Sequence, residues 1–92
     1  MKVNFYATLR QIVGQKSADI NLESGSSVQN LLDKILELYP PLRRELLDEQ
    51  GQLYPHVHIF VNGRDAPYLD KGMQTILQPE DKLDIFPAVG GG

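Results

Sequence analysis

The chain has no cysteine in its 92 residues. That excludes disulfides, thiolate metal sites and any internal thiol nucleophile. If this protein carries sulfur, the sulfur must be added to the chain. An excess of one charge is also lacking: nine lysines and arginines are scattered among twelve acids, for a net charge of −3. Without a basic stripe, nucleic acid is not an expected partner. The apolar runs are too short to span a membrane. Met1 leads straight into an alternating pattern, so no signal peptide is expected and the chain reads as cytoplasmic. The 41% hydrophobic content suffices for one small core, near the lower size limit for a domain that folds without staples.

The most informative stretch is the end, where Gly90-Gly91-Gly92 follow the apolar run Leu83-Asp84-Ile85-Phe86-Pro87-Ala88-Val89. Glycine lets another surface approach the backbone closely. Such a thread, bearing the α-carboxylate of Gly92, can enter a narrow enzyme cleft. The pattern points to chemistry done on this protein's own C-terminus; a frayed end is the plain alternative.

Val3, Phe5 and Ala7 alternate with Lys2, Asn4 and Tyr6 to give a first strand. Leu9, Ile12 and Val13 then fall at helical spacing, closed by Gly14. Ala18, Ile20 and Leu22 alternate again, and the short connection suits an antiparallel hairpin. Ser26-Ser27-Val28-Gln29 reads as a capping box, with Ser26 accepting from the Gln29 amide. Val28, Leu31, Leu32, Ile35, Leu38 and Tyr39 share one helical face, and Pro40-Pro41 ends that helix. Leu42, Leu46 and Leu47 suggest a further turn or two before a polar turn over residues 48–51. Val57, Ile59 and Val61 form a third strand ending at Asn62-Gly63, a tight-turn signal. Asp65 to Leu69 reads as a short edge strand because Pro67 lacks a donor. Leu83 and Ile85 alternate in the last strand.

One amphipathic helix on one face of a mixed sheet accounts for every apolar stripe. This order and length predict an α+β fold of the ubiquitin-like β-grasp kind, with a mixed five-stranded sheet. The expected division is a domain over 1–86 and a flexible C-terminal tail over 87–92.

Two blocks carry a family resemblance. The segment from Phe5 to Gly14, FYATLRQIVG, resembles the opening of the small sulfur-carrier subunit of molybdopterin synthase. The segment from Pro79 to Gly92, PEDKLDIFPAVGGG, resembles the ending of that family and of its thiamine-pathway relative. The chain thus resembles the MoaD/ThiS-type ubiquitin-like sulfur carriers. The resemblance implies that an enzyme resembling the ubiquitin-activating enzyme adenylates the terminal glycine with ATP. A sulfur donor then displaces AMP and leaves a thiocarboxylate. Carried over, Gly92 is the modified residue and Gly91 its slender neighbour, while Phe86, Pro87 and Val89 match the strand-to-tail junction. Gly90 is a departure, since a small side chain is more usual there. No cofactor is expected to bind; ATP belongs to the activating enzyme, and the covalent sulfur sits on Gly92. The implied partners are that adenylating enzyme and a larger synthase subunit or other sulfur acceptor. The chain would be a carrier or co-substrate supplying no acid, base or metal.

The physics agrees with that role. A carboxylate is a poor electrophile and needs an activated leaving group before sulfur can attack. The six residues after Phe86 can extend on the order of 20 Å at about 3.3–3.6 Å each.

Alternation also predicts a free sheet face. If Val3/Ala7, Val57/Ile59 and Leu83/Ile85 point at the helix, Tyr6, Phe60 and Phe86 point the other way. Three aromatics there would form a partner patch with Phe86 beside the tail, unless the Leu42–Leu47 segment covers them. His56 and His58 share one side of the third strand, a thin case for a metal and more simply strand-surface histidines. Glu80-Asp81 and Asp48-Glu49 read as solvated loop acids. Gly63 and Gly72 are isolated turn glycines, and no phosphate-cradling motif is present.

The leading expectation is sulfur donation in molybdopterin synthesis. The stretch from Pro40 to Pro55 resembles carriers serving cysteine synthesis or tRNA thiolation, and archaeal small modifiers. From another class comes a ubiquitin-like tag joined through Gly92 to lysines. A plain interaction module, indifferent to loss of Gly91-Gly92, ranks last.

Overall fold

Strand β1 (Lys2–Phe5) alternates as expected, with Val3 and Phe5 fully buried. The computed structural model describes residues 1–87. Ala7, expected to face the core, is instead exposed at φ +53°. The chain reverses there into helix α1 (Thr8–Val13), and Leu9 takes the core position. Gly14 ends α1 at φ +87°, the left-handed conformation that favours glycine. Strand β2 (Ser17–Asp19) returns antiparallel to β1 and puts Ala18 opposite Val3. The ladder extends one bond further, with the Ile20 amide donating to the Met1 carbonyl at 2.7 Å.

Helix α2 (Val28–Leu38) buries Val28, Leu31, Leu32 and Ile35. Its capping box lies one residue later than expected. Ser27 Oγ accepts from the Asn30 amide at 3.1 Å, and Asn30 Oδ1 accepts from the Ser27 amide at 2.9 Å. Ser26 Oγ donates instead to the Glu23 carbonyl. The first helical residue is Val28, so the cap must be Ser27, and Gln29 reaches forward to Asp33. Leu38 departs from the expected stripe and is 48% exposed. Tyr39 closes that end of the core, its ring edge-on to Phe5 at 6.2 Å.

Pro40–Leu42 form a 3-10 turn that leads into helix α3 (Arg43–Leu46). Strand β3 (His58–Val61) buries Ile59 and Val61. The Asn62-Gly63 turn follows, with φ +53° and +83° at its two residues. Positive φ at both positions is the tight hairpin conformation that matches strand twist. The partner strand β4 is only Arg64–Asp65; the expected strand to Leu69 is replaced by a 3-10 turn over Ala66–Tyr68. Pro67 fits early in that turn, where its missing amide hydrogen breaks no ladder.

Strand β5 (Leu83–Phe86) completes a sheet ordered β2-β1-β5-β3-β4. It runs parallel to β1 and antiparallel to β3. This mixed five-stranded sheet with one main helix is the expected β-grasp layout. Val3, Phe5, Ile59, Leu83 and Ile85 share one core cluster with Leu31, Leu32 and Ile35 of α2. Leu42, Leu46 and Leu47 join that same core. They therefore do not form a separate cover over the aromatic face.

Candidate functional site

The pleat of β1, β3 and β5 aims one residue of each pair at α2 and the other away. Tyr6 follows β1, Phe60 lies in β3 and Phe86 ends β5. The structure brings the three together on the face opposite the core. Tyr6 stacks on Phe86, with centroids 4.1 Å apart and planes 10° from parallel. Phe60 meets Phe86 edge-to-face at 5.5 Å. All three rings are partly exposed, and none belongs to the core cluster. Paired rings in these geometries are worth about 0.5–1.5 kcal/mol beyond area burial, enough to hold a defined shape on an open sheet.

Polar groups missed in the sequence brace both ends of this array. At one end Asp84, only 7% exposed, accepts on Oδ1 from the Tyr6 hydroxyl at 2.7 Å and from Asn4 Nδ2 at 3.0 Å. That hydrogen bond, then partial burial and the Asp84 charge, raise the Tyr6 phenol above its ordinary value, while Arg10 pulls the other way. The Arg10 guanidinium lies over the Tyr6 ring at 5.6 Å, and its Nε donates to the Phe5 carbonyl. At the other end His58 stacks on Phe60 at 5.6 Å and its Nδ1 meets Asp65 Oδ2 at 2.7 Å.

The signal for these partners was cross-strand register. Parallel pairing sets Asn4 beside Asp84, and the two-residue turn sets Phe60 opposite Asp65. His56 does not share the strand with His58; it is exposed in the preceding turn. Among the described residues, no group of three or more His, Cys, Asp or Glu is placed to hold a metal. Of the turn acids, Asp48 and Asp81 are bound into their loops. Asp48 Oδ1 accepts from the Gln50 and Gln52 amides, and Asp81 accepts from Asn62 Nδ2 and the Gln78 amide.

Pro87 is buried at the end of β5. Gly91 and Gly92, expected to carry the chemistry, and Val89 and Gly90, expected at the partner contact, lie outside the described residues. A groove of about 410 Å³ between Leu22 and Leu77 opens beside Met1, at the opposite end of β1 from Phe86. Among the described residues, no helix is long and apolar enough to cross a membrane.

A mixed five-stranded β-grasp sheet packed on one main helix defines a ubiquitin-like protein. The sequence matches the ThiS family over residues 3–92, and the chain belongs to that family. It is 37% identical over 92 residues to small archaeal modifier protein 3 of Haloferax volcanii, covering 100% of this chain and 98% of that protein. It is 31% identical over 81 residues to the sulfur carrier protein CysO of Mycobacterium tuberculosis, covering 86% and 83% of the two chains. The crystal structure of SAMP1 from Haloferax volcanii superposes with a TM-score of 0.85 at 25% identity, covering 100% of this chain and 98% of that one. The relatives of this chain therefore include both sulfur carriers and small protein modifiers.

Proposed function

We propose that this protein is a carrier activated at its C-terminal glycine. Residues 1–86 act as the docking body, and the segment 87–92 is the part delivered to enzymes. An oxygen of the Gly92 carboxylate attacks the α-phosphate of ATP in an adenylating partner, and pyrophosphate leaves. Hydrosulfide released by a donor then attacks the acyl-adenylate carbonyl through its sulfur, AMP departs, a proton is lost, and a thiocarboxylate remains. The chain's own part is to dock and to present a backbone slender enough at Gly91 for the cleft. Tyr6, Phe60 and Phe86 form the surface the partner grips, with Val89 and Gly90 as its continuation, while Pro87, buried at the end of β5, fixes the junction between them. The observation that carries this reading is the family match, which runs through Gly92.

The modifier name of the 37%-identical relative favours a second use of the same activated end. A lysine amine, in place of sulfur, displaces AMP and forms an amide with Gly92. For the sulfur product, the opening segment Phe5–Gly14 favours delivery to molybdopterin synthesis through a larger synthase subunit. Cysteine synthesis is the competing destination; the likeness to a sulfur carrier protein supports the sulfur product whichever the destination.

Mass spectrometry of the intact protein and its C-terminal peptide, isolated from native cells, tests this. Sulfur in place of oxygen at Gly92 is the expected result. A Gly-Gly remnant on lysines of other proteins, with an unmodified free end, selects the modifier reading. Neither product, even after incubation with ATP and the adenylating enzyme, overturns the proposal.

A further inference from the structure

Asp84 is an expensive residue for its position. Alternation in β5 turns Leu83 and Ile85 to the core and Asp84 to the open face. An apolar or β-branched side chain there would serve the sheet equally well. A carboxylate at 7% exposure instead loses most of its water and must be compensated by hydrogen bonds. Two donors, the Tyr6 hydroxyl and Asn4 Nδ2, converge on a single oxygen. What this arrangement adds over an apolar residue is direction. It fixes the hydroxyl of Tyr6, and hence the direction of the long axis of a ring that lies past the end of β1, where the backbone is already turning into Ala7. The far side of that relation is Phe86, which the Tyr6 ring covers at 4.1 Å. Phe86 is the last residue of β5, followed by Pro87, which is buried.

We infer that Asp84 is a positioning residue: acting through Tyr6, it sets the Phe86 ring and so the direction in which the chain leaves the sheet toward its C-terminus. The inference rests on the proposed activation of Gly92, since a carboxylate delivered into an enzyme cleft must arrive in line with its target. Misplacement by about an ångström is enough to lower a rate by up to about a hundredfold.

The test uses the full chain as substrate for its adenylating enzyme, read by ATP–pyrophosphate exchange, with Asp84→Ala, Asp84→Asn and Tyr6→Phe. Asp84→Ala is expected to lower kcat about tenfold, the part of the defect that reports lost alignment, while any rise in KM reports the disturbed docking face of Tyr6 and Phe86. Asp84→Asn keeps an oxygen that accepts from Tyr6, so it recovers most of that loss; Tyr6→Phe, which keeps the ring, falls between. The proton shifts of the Phe86 ring give a second readout independent of the enzyme. They should move toward unstacked values in Asp84→Ala and stay in place in Asp84→Asn. An unchanged Phe86 stack in Asp84→Ala overturns the inference, as does a defect confined to KM or shared equally by Asp84→Asn. If the unaltered chain supports no exchange at all, the activation reading fails, and the ring shifts alone decide the structural link.

Discussion

Nδ1 of His58 and Oδ2 of Asp65 meet at 2.7 Å across the β3–β4 hairpin. The contact exists because the Asn62-Gly63 turn pairs Phe60 with Asp65 and leaves His58 diagonal to it. The other carboxylate oxygen, Oδ1, is buried with no hydrogen-bond partner among the described residues. Removing the imidazole therefore strands the whole carboxylate. His58→Leu should lower stability by about 1–3 kcal/mol in urea unfolding. The double variant with Asp65→Leu should lose less than the sum of the two single changes, because two apolar residues leave no orphan. Strict additivity would show that the pair is incidental.

The Tyr6 phenol supplies a pH prediction. Its proton is held more tightly in the folded chain than in the unfolded one, chiefly by the hydrogen bond to Asp84. Above the ordinary tyrosine value of about 10 the folded state then binds more protons than the unfolded state, so stability falls as pH rises. Below about pH 10 this contribution is fully present. Urea midpoints measured from about pH 8 to 11 should fall more steeply for the unaltered protein than for Tyr6→Phe. Parallel curves would show that folding does not hold the Tyr6 proton more tightly.

The cap of α2 separates two adjacent serines. Ser27 is 6% exposed and accepts from the Asn30 amide. Ser27→Ala should destabilise by about 1 kcal/mol. Ser26→Ala, which removes only an exposed hydroxyl bonded to the Glu23 carbonyl, should cost less. Equal losses in thermal unfolding would contradict the assigned register of the cap.

Phe60 tests the proposed docking face. Phe60→Ala should weaken binding of the adenylating enzyme by at least about fivefold in calorimetric titration, as for a partly buried aromatic at an interface. Leu38→Ala, on the exposed end of α2, should bind as the unaltered protein does. If both variants bind equally well, the partner uses another surface.

The parts of this fold that were legible in the sequence are those whose signal is local. Period-two alternation gave Val3/Phe5 and Ile59/Val61, period-3.6 spacing gave α2, and Asn-Gly gave the hairpin turn. Even so, local pattern could not tell Ser26 from Ser27 as the cap, since both precede the same apolar run. It extended β1 to Ala7, because a chain reversal through positive φ at alanine has no composition cue. It ran β4 to Leu69 because Pro67 suits an edge strand as well as a 3-10 turn. At the candidate site, the clustering of Tyr6, Phe60 and Phe86 followed from alternation. Asp84 and Asp65 did not, because their partners are 80 and 7 residues away and are set by strand register.

The strand nearest the C-terminus is also the middle strand of the sheet: β5 lies between β1 and β3 and supplies the hydrogen bonds that join them. During synthesis the first four strands emerge in two separate pairs, with no ladder between them. The sheet closes only when the chain has been made through residue 86, and its β1–β5 contact spans almost the whole sequence, a distance that slows folding. A chain broken off before that point lacks the central strand that joins the two pairs. The geometry thus acts as a check on manufacture: the shared face of Tyr6, Phe60 and Phe86 forms only on chains that have reached the last residue of β5.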